Sequence, residues 1–424
     1  MYKLKKFSSG LTLVTAPVQG IETVTVMALF GAGSKCEQRK NRGVSHFLEH
    51  MMFKGTRRRP SAKAMAEVMD KVGGEYNAFT GKEYTGYWAK VGSGHLDLAL
   101  DWLSDLVINA KLEADKMEKE RGVIIEEINM YKDTPTQRIE DVFENLVYGD
   151  QPSGWDIIGT KKTIKAMPQS ELLGYKRKNY TLGNCVVCVS GKPGKGLEDK
   201  VEKYFCGLFR TKAMPGAKTR EKQSKPKFKA EFKKTDQSHC MIGFRTVNLF
   251  SKERYALGII TAILGGSMSS RLFLEVREKL GLAYYVHADS HLYTDSGYLS
   301  VQAGVRNVKF EQAMKAILDE FSRLKSEKTG EAELKKAKEN IKGQTLISLE
   351  SSNSRAFFFG SQQLLKKKIE SLEQRFEALD RVTAGDIQET ARRFFAPERL
   401  NAALIGPKRR NKKIDEILNG FKKD

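Results

Sequence analysis

At 424 residues the chain is longer than one ordinary core, and it calls for two domains of about 200 residues each. A hydrophobic share of 40%, with no apolar run near the ~18–20 residues that span a bilayer, excludes a helical membrane protein. The net charge of +21 gathers in Arg210–Lys234 and Pro407–Asp424; these read as a solvated linker and tail, with nucleic-acid binding the lesser alternative.

In chain order, the first eighteen residues read as a hairpin turning at Ser8, Ser9 and Gly10, without a signal-peptide apolar stretch, so a cytoplasmic protein is expected. Strands follow near 11–17, 23–31, 84–91 and 184–190. Helices follow near 44–54, 61–72 (Ser61 capping, Gly73 ending), 95–109, 113–132 and 135–148. The second half continues with helices near 252–264, 269–280, 308–325 and 331–349. The five cysteines are scattered and odd in number, so no disulfide framework is expected; Cys185 and Cys188, in "GNCVVCVSG", read as part of a buried strand.

The two halves repeat. "YKRKNYTLGNCVVCVSG" (Tyr175–Gly191) and "TARRFFAPERLNAALIG" (Thr390–Gly406) share a basic helix end, an aromatic, a small turn and a β run closing on Gly. Their offset, 406 − 191 = 215 residues, also places "VTVMALFGAG" near "HCMIGFRTV". The expected fold is α+β: two homologous domains, each a largely antiparallel or mixed sheet packed with helices. The boundaries fall at 1–209, a basic linker at 210–230, and 231–424.

The chemistry concentrates in "HFLEH", His46 to His50, within an otherwise apolar segment. Positions i, i+3 and i+4 share one side of a helix, so His46, Glu49 and His50 form one polar cluster. Burying such a cluster unpaired is costly, and a metal ion resolves the cost. Two histidines do not complete a zinc site, because catalytic zinc takes three protein ligands. In "KMEKERGVIIEEINMYKDTP" Glu120 and Glu127 stand seven apart, two helical turns, on one face. Glu127 can complete the set with Glu120 behind it; the alternative is a solvated acidic face opposed by Lys116, Lys119 and Arg121. Offset by 215, His46, Glu49 and His50 fall on Thr261, Leu264 and Gly265, so the second copy lacks the cluster. "HADSH" (His287 to His291) reads as strand, where i and i+4 lie about 13 Å apart, too far to share an ion.

The HxxEH order reverses the zincin HExxH. With "ERGVIIEEI" (Glu120–Ile128) it resembles the pitrilysin/insulinase family, in particular its short, two-domain, processing-peptidase-like members, over nearly the whole chain. The resemblance implies one Zn2+ per chain on His46, His50 and Glu127, with the ERxxIxEEI register selecting Glu127 over Glu126. It implies Glu49 as general base and Glu120 as the supporting carboxylate. "GGEYNAFTGKEYTGYWAKV" resembles a family segment whose Asn, here Asn77, contacts substrate backbone. "MSSRLFLEVREKLGLAYYV" resembles one whose Arg and Tyr, here Arg277 and Tyr284, hold the substrate and stabilise an oxyanion. The implied function is endopeptidase cleavage of peptides or unfolded polypeptide inside a clam-shell chamber. This chain supplies half of the chamber, and a homodimer completes it because one chain carries both residue sets. A zinc-containing chaperone or scaffold, or a processing-complex subunit, is the alternative.

Overall fold

The structure is a computed structural model that describes residues 2–421; Met1 and the last three residues of the basic tail lie outside the described residues. Strands β1 (Lys3–Lys6), β2 (Thr12–Pro17), β3 (Thr23–Phe30), β4 (Glu75–Thr80), β5 (Thr85–Gly92) and β6 (Cys185–Gly191) form one sheet in the order β1-β2-β6-β3-β5-β4. Strands β7 (Lys227–Phe232), β8 (Gln237–Arg245), β9 (Ala283–Leu292), β10 (Gly297–Arg306) and β11 (Leu400–Gly406) form the other, in the order β7-β11-β8-β10-β9. All neighbours run antiparallel except β2/β6 and β7/β11. This is the expected α+β architecture.

The 215-residue repeat extends through both sheets. It carries β2 onto β7 and β6 onto β11 with the same bounds, and the Gln169–Asn179 and Leu197–Phe205 helices onto Ala384–Phe394 and Lys412–Gly420. Strand order is the same in both copies apart from β1, which closes the N-terminal hairpin expected around Gly10 (φ 93°).

Strands β3 and β11 explain how the helices are dealt out. Both are buried along nearly their whole length, Thr25 and Asn401 included, the pattern of a strand covered on both faces. On β3, Val24, Val26, Ala28 and Phe30 join the main core, while Met27 and Leu29 face Ala356 and Phe359 of the Ser352–Lys366 helix. On β11, Leu400, Ala402 and Leu404 face one core, while Ala403 and Ile405 meet Ile139, Val142 and Phe143 of the Pro135–Tyr148 helix. The chain therefore forms two compact units that exchange a helix. One comprises residues up to Met130 with Trp155–Ala217 and Leu346–Glu370; the other comprises Tyr131–Gly154, Lys218–Thr345 and the chain from Ser371 onward. A division at 209 and 231 follows the repeat, whereas packing follows the demand of each sheet for a second cover.

Gly360 lets the exchanged helix lie close on the first sheet: a Cβ there would stand 2.8 Å from Leu29 Cδ1 and 3.3 Å from Cys188 Cβ. Gly360→Val is expected to lower unfolding free energy by about 1–3 kcal/mol, the range for overpacking, read from the urea midpoint. Cys185 and Cys188 are buried, unpaired and on alternate faces of β6, and burial pushes both thiols up. The helix expected near 269–280 differs in kind: residues Phe273–Lys279 form a wider π-type helix, in which Leu280 N bonds back to Glu275 O at 3.0 Å. No helix among the described residues is long and apolar enough to cross a membrane.

Candidate metal centre

The "HFLEH" segment forms the Val44–Met52 helix, and its composition sorts by face. Val44, Phe47, Leu48, Met51 and Met52 are fully buried in the first unit's core, which leaves His46, Glu49 and His50 on the other side. The facing side chains come from the Ala114–Asp133 helix. Ile124 and Ile128 anchor that helix in the same core, and the two-turn spacing turns Glu120 and Glu127 toward the histidines.

His46 Nε2 lies 3.7 Å from Glu127 Oε1, and His50 Nε2 lies 3.4 Å from Glu127 Oε2. The imidazole centroids are 4.6 Å apart. One donor atom from each of His46, His50 and Glu127 falls within 4.8 Å of the other two; among the described residues no other group of three His, Cys, Asp or Glu side chains converges so closely. Ligands at about 2.0–2.1 Å from a tetrahedral zinc stand about 3.4 Å from one another, so the spacing suits that ion. Glu127 Oε2 is buried and, apart from the ion-pair contact to His50, has no hydrogen-bond partner among the described residues, leaving a lone pair for a cation to occupy. The residues present fit a metal.

The two imidazoles differ in their electrostatics. Burial, with His50 nearby, pushes the His46 pKa down to about 4, which keeps its ring neutral as a ligand must be. Burial also opposes charge on His50, but Glu120 and Glu127 outweigh it and lift its pKa to about 9. Burial likewise raises Glu120 and Glu127, yet their cationic neighbours hold both below the ordinary carboxylate value. Two ionised carboxylates around two imidazoles draw positive charge to this point.

Glu120 supports His50 from behind, its Oε1 lying 2.8 Å from Nδ1 while Lys54 Nζ reaches Oε2 at 2.6 Å. This contact directs His50 Nε2 toward Glu127 and fixes the tautomer. Glu120→Ala is expected to weaken zinc binding by about 10–100-fold, measured by competition with a chromogenic chelator. Glu49 stands outside the ligand group. It is largely buried, which raises its carboxyl above the ordinary value, and the Thr80 hydroxyl donates to its Oε2 and counters that rise.

The remaining expected residues sit elsewhere. Asn77 is on β4, on the face opposite Thr80, and its Oδ1 accepts a hydrogen bond from Ala78 N at 2.8 Å. Arg277 and Tyr284 belong to the second unit. Arg277 stacks over the Phe273 ring at 4.7 Å, and Tyr284 is 74% exposed at the start of β9. His287 and His291 lie on the continuous strand β9 and join no ligand group. Sequence reasoning passed over Lys54 and Thr80. The i+4 spacing of Lys54 from His50 was visible, and Thr80 lies three residues past Asn77 in a segment already singled out.

Comparison with known proteins supplies the lineage. The insulinase family (peptidase family M16) matches residues 13–161, and the peptidase M16 inactive domain matches residues 167–341. An uncharacterized zinc protease of Bacillus subtilis is 36% identical over 96% of this chain and 98% of its own. One of Mycobacterium tuberculosis is 34% identical over 97% of this chain and 94% of its own. The crystal structure of a protease from Helicobacter pylori, 24% identical, superposes with a TM-score of 0.91 over 96% of this chain and 99% of that one, and so shares the fold. With the insulinase domain first, the M16 inactive domain second and relatives matched nearly end to end, the chain belongs to the insulinase family of peptidases, as a two-domain member.

Proposed function

We propose that the protein is a zinc-dependent endopeptidase acting on peptides or unfolded polypeptide. The convergence of His46, His50 and Glu127, with Glu49 beside them but outside the ligand group, carries this reading. It is supported by the zinc-protease naming of the relatives. His46 Nε2, His50 Nε2 and a Glu127 oxygen would hold one ion per chain. When bound, zinc supplies Lewis-acid polarisation of the scissile carbonyl and acidifies a water.

The chain's own groups do the rest. Glu49 takes the proton of the attacking water and passes it to the leaving amine. Its burial suits the task, since a carboxylate raised toward neutrality both accepts and releases a proton readily. Strand β4 is the outer strand of its sheet and ends at Thr80, the partner of Glu49. An extended substrate added along β4 would gain main-chain hydrogen bonds, and Asn77 would contact its backbone. Arg277 and Tyr284 are proposed to hold the substrate carbonyl, each subunit of a homodimer supplying them to its partner.

Mass spectrometry of a mixed peptide pool, incubated with the protein before and after zinc removal, tests the reading. Cleavage that disappears on chelation and returns with zinc is expected. Zinc bound tightly without any cleavage would overturn it in favour of a zinc-containing chaperone or scaffold.

A further inference from the structure

The start of the His46 helix is capped from a distance. Its N-cap is Gly43, at φ 90°, which has no side chain to receive the first-turn N–H groups. A Cβ at that position would meet Ile158 O at 2.7 Å, so no capping side chain fits there. The acceptor comes from six residues upstream. Glu37 Oε2 accepts from Gly43 N at 2.8 Å, Oε1 accepts from Ser45 N at 3.0 Å, and the Ser45 hydroxyl also donates to Oε1. Glu37 is only 4% exposed. A carboxylate here meets both the unsatisfied donors and the positive end of the helix dipole.

The same stretch of chain secures the opposite wall of the site. Ser34 N donates to Gly81 O at 3.1 Å and Lys35 N to Lys82 O at 2.8 Å, which pins it to the turn between β4 and β5. The buried Lys35–Glu83 pair, at 2.9 Å, repeats the link through side chains. Gly33 packs against that turn so closely that a Cβ would stand 2.2 Å from Gly81 O. One buried strap, residues 33–37, therefore holds both the helix that carries His46, Glu49 and His50 and the strand that ends at Thr80.

We infer that Glu37 is a positioning residue for the metal centre: by gripping Gly43 and Ser45 it sets the first turn of the helix and so aims His46 at Glu127. It works through Ser45, the residue before His46. Its catalytic consequence rests on the zinc-peptidase reading, whereas its effect on metal affinity does not.

The test is Glu37→Gln in the full chain, which puts an amide NH2 among groups that themselves donate. Zinc affinity is read by chelator competition, the melting temperature of the chelated protein by circular dichroism, and kcat and KM on a cleaved peptide. Expected are a zinc dissociation constant raised about 10–100-fold, as for a lost ligand-orienting contact, and a lower kcat at little-changed KM. Glu37→Asp, which keeps the charge but withdraws it by one methylene, recovers part of both. A lower melting temperature with wild-type zinc affinity and wild-type kcat per folded molecule would reduce Glu37 to a purely structural cap and overturn the inference. If Glu37→Gln does not fold, Ser45→Ala removes only the hydroxyl contact; it must raise the zinc dissociation constant, and an unchanged value overturns the inference equally. Should the wild type bind zinc but cut nothing, the peptidase reading falls while these zinc constants still judge Glu37.

Discussion

On the proposed function, replacing Glu49 by Gln is expected to lower kcat by about 10²–10⁴-fold while zinc content matches that of the wild type, because the substitution removes a proton acceptor and no ligand. The side chain keeps its size, and its remaining carbonyl oxygen can still accept the hydrogen bond that Thr80 donates to Glu49. His46, His50 and Glu127 are untouched, so an ion would keep the same three donors. The comparison is made on one peptide identified from the mixed pool, with metal measured in the same samples by mass spectrometry. Loss of zinc along with activity would make Glu49 a ligand instead of a base. Wild-type turnover would move the proton transfer to another group.

Parts of this arrangement were legible in the sequence and others were not, for definite reasons. The Val44–Met52 helix and its polar face follow from spacing alone, since apolar residues at 44, 47, 48, 51 and 52 leave 46, 49 and 50 on the other side. The two sheets are legible through the 215-residue repeat, which carries β6 onto β11 residue for residue. The helix exchange was not legible. The largely apolar β3 and β11, each interrupted by a polar residue (Thr25, Asn401), suit burial on both faces, but nothing local names the cover, and Ser352–Lys366 lies more than 300 residues from β3. Glu37, Lys54 and Thr80 escaped for a related reason. Lys54 at i+4 from His50 and Thr80 three residues past Asn77 carry a positional signal, but Glu37 looks like an ordinary surface residue, and only the fold brings the three to a carboxylate, the base and a helix start. The wide helix at Phe273–Lys279 differs from an ordinary helix by its hydrogen-bond register, which composition does not encode.

The sharpest contrast lies between two adjacent glutamates. Glu127→Ala is expected to weaken zinc binding by more than the about 10–100-fold that loss of a supporting carboxylate brings, and to abolish cleavage. Glu126→Ala is expected to leave both unchanged. On the Ala114–Asp133 helix the two side chains point about 100° apart, so one ion cannot draw on both. Glu127 faces His46 and His50 at 3.7 and 3.4 Å, whereas Glu126 is exposed and accepts from Asn129 Nδ2 at 3.2 Å on the outer side. Removing Glu127 leaves two imidazoles, one short of the three ligands a catalytic zinc needs, and removes one of the two carboxylates that draw positive charge there. Glu127→Asp is the informative intermediate: it retains the charge but draws the oxygens back by one methylene, so zinc should bind weakly and partial activity should return at raised zinc concentration. Equilibrium dialysis of the three variants against a zinc series resolves the order. If Glu126→Ala were the variant that lost the metal, the helix would have to be rotated from the register in which Ile124 and Ile128 are buried.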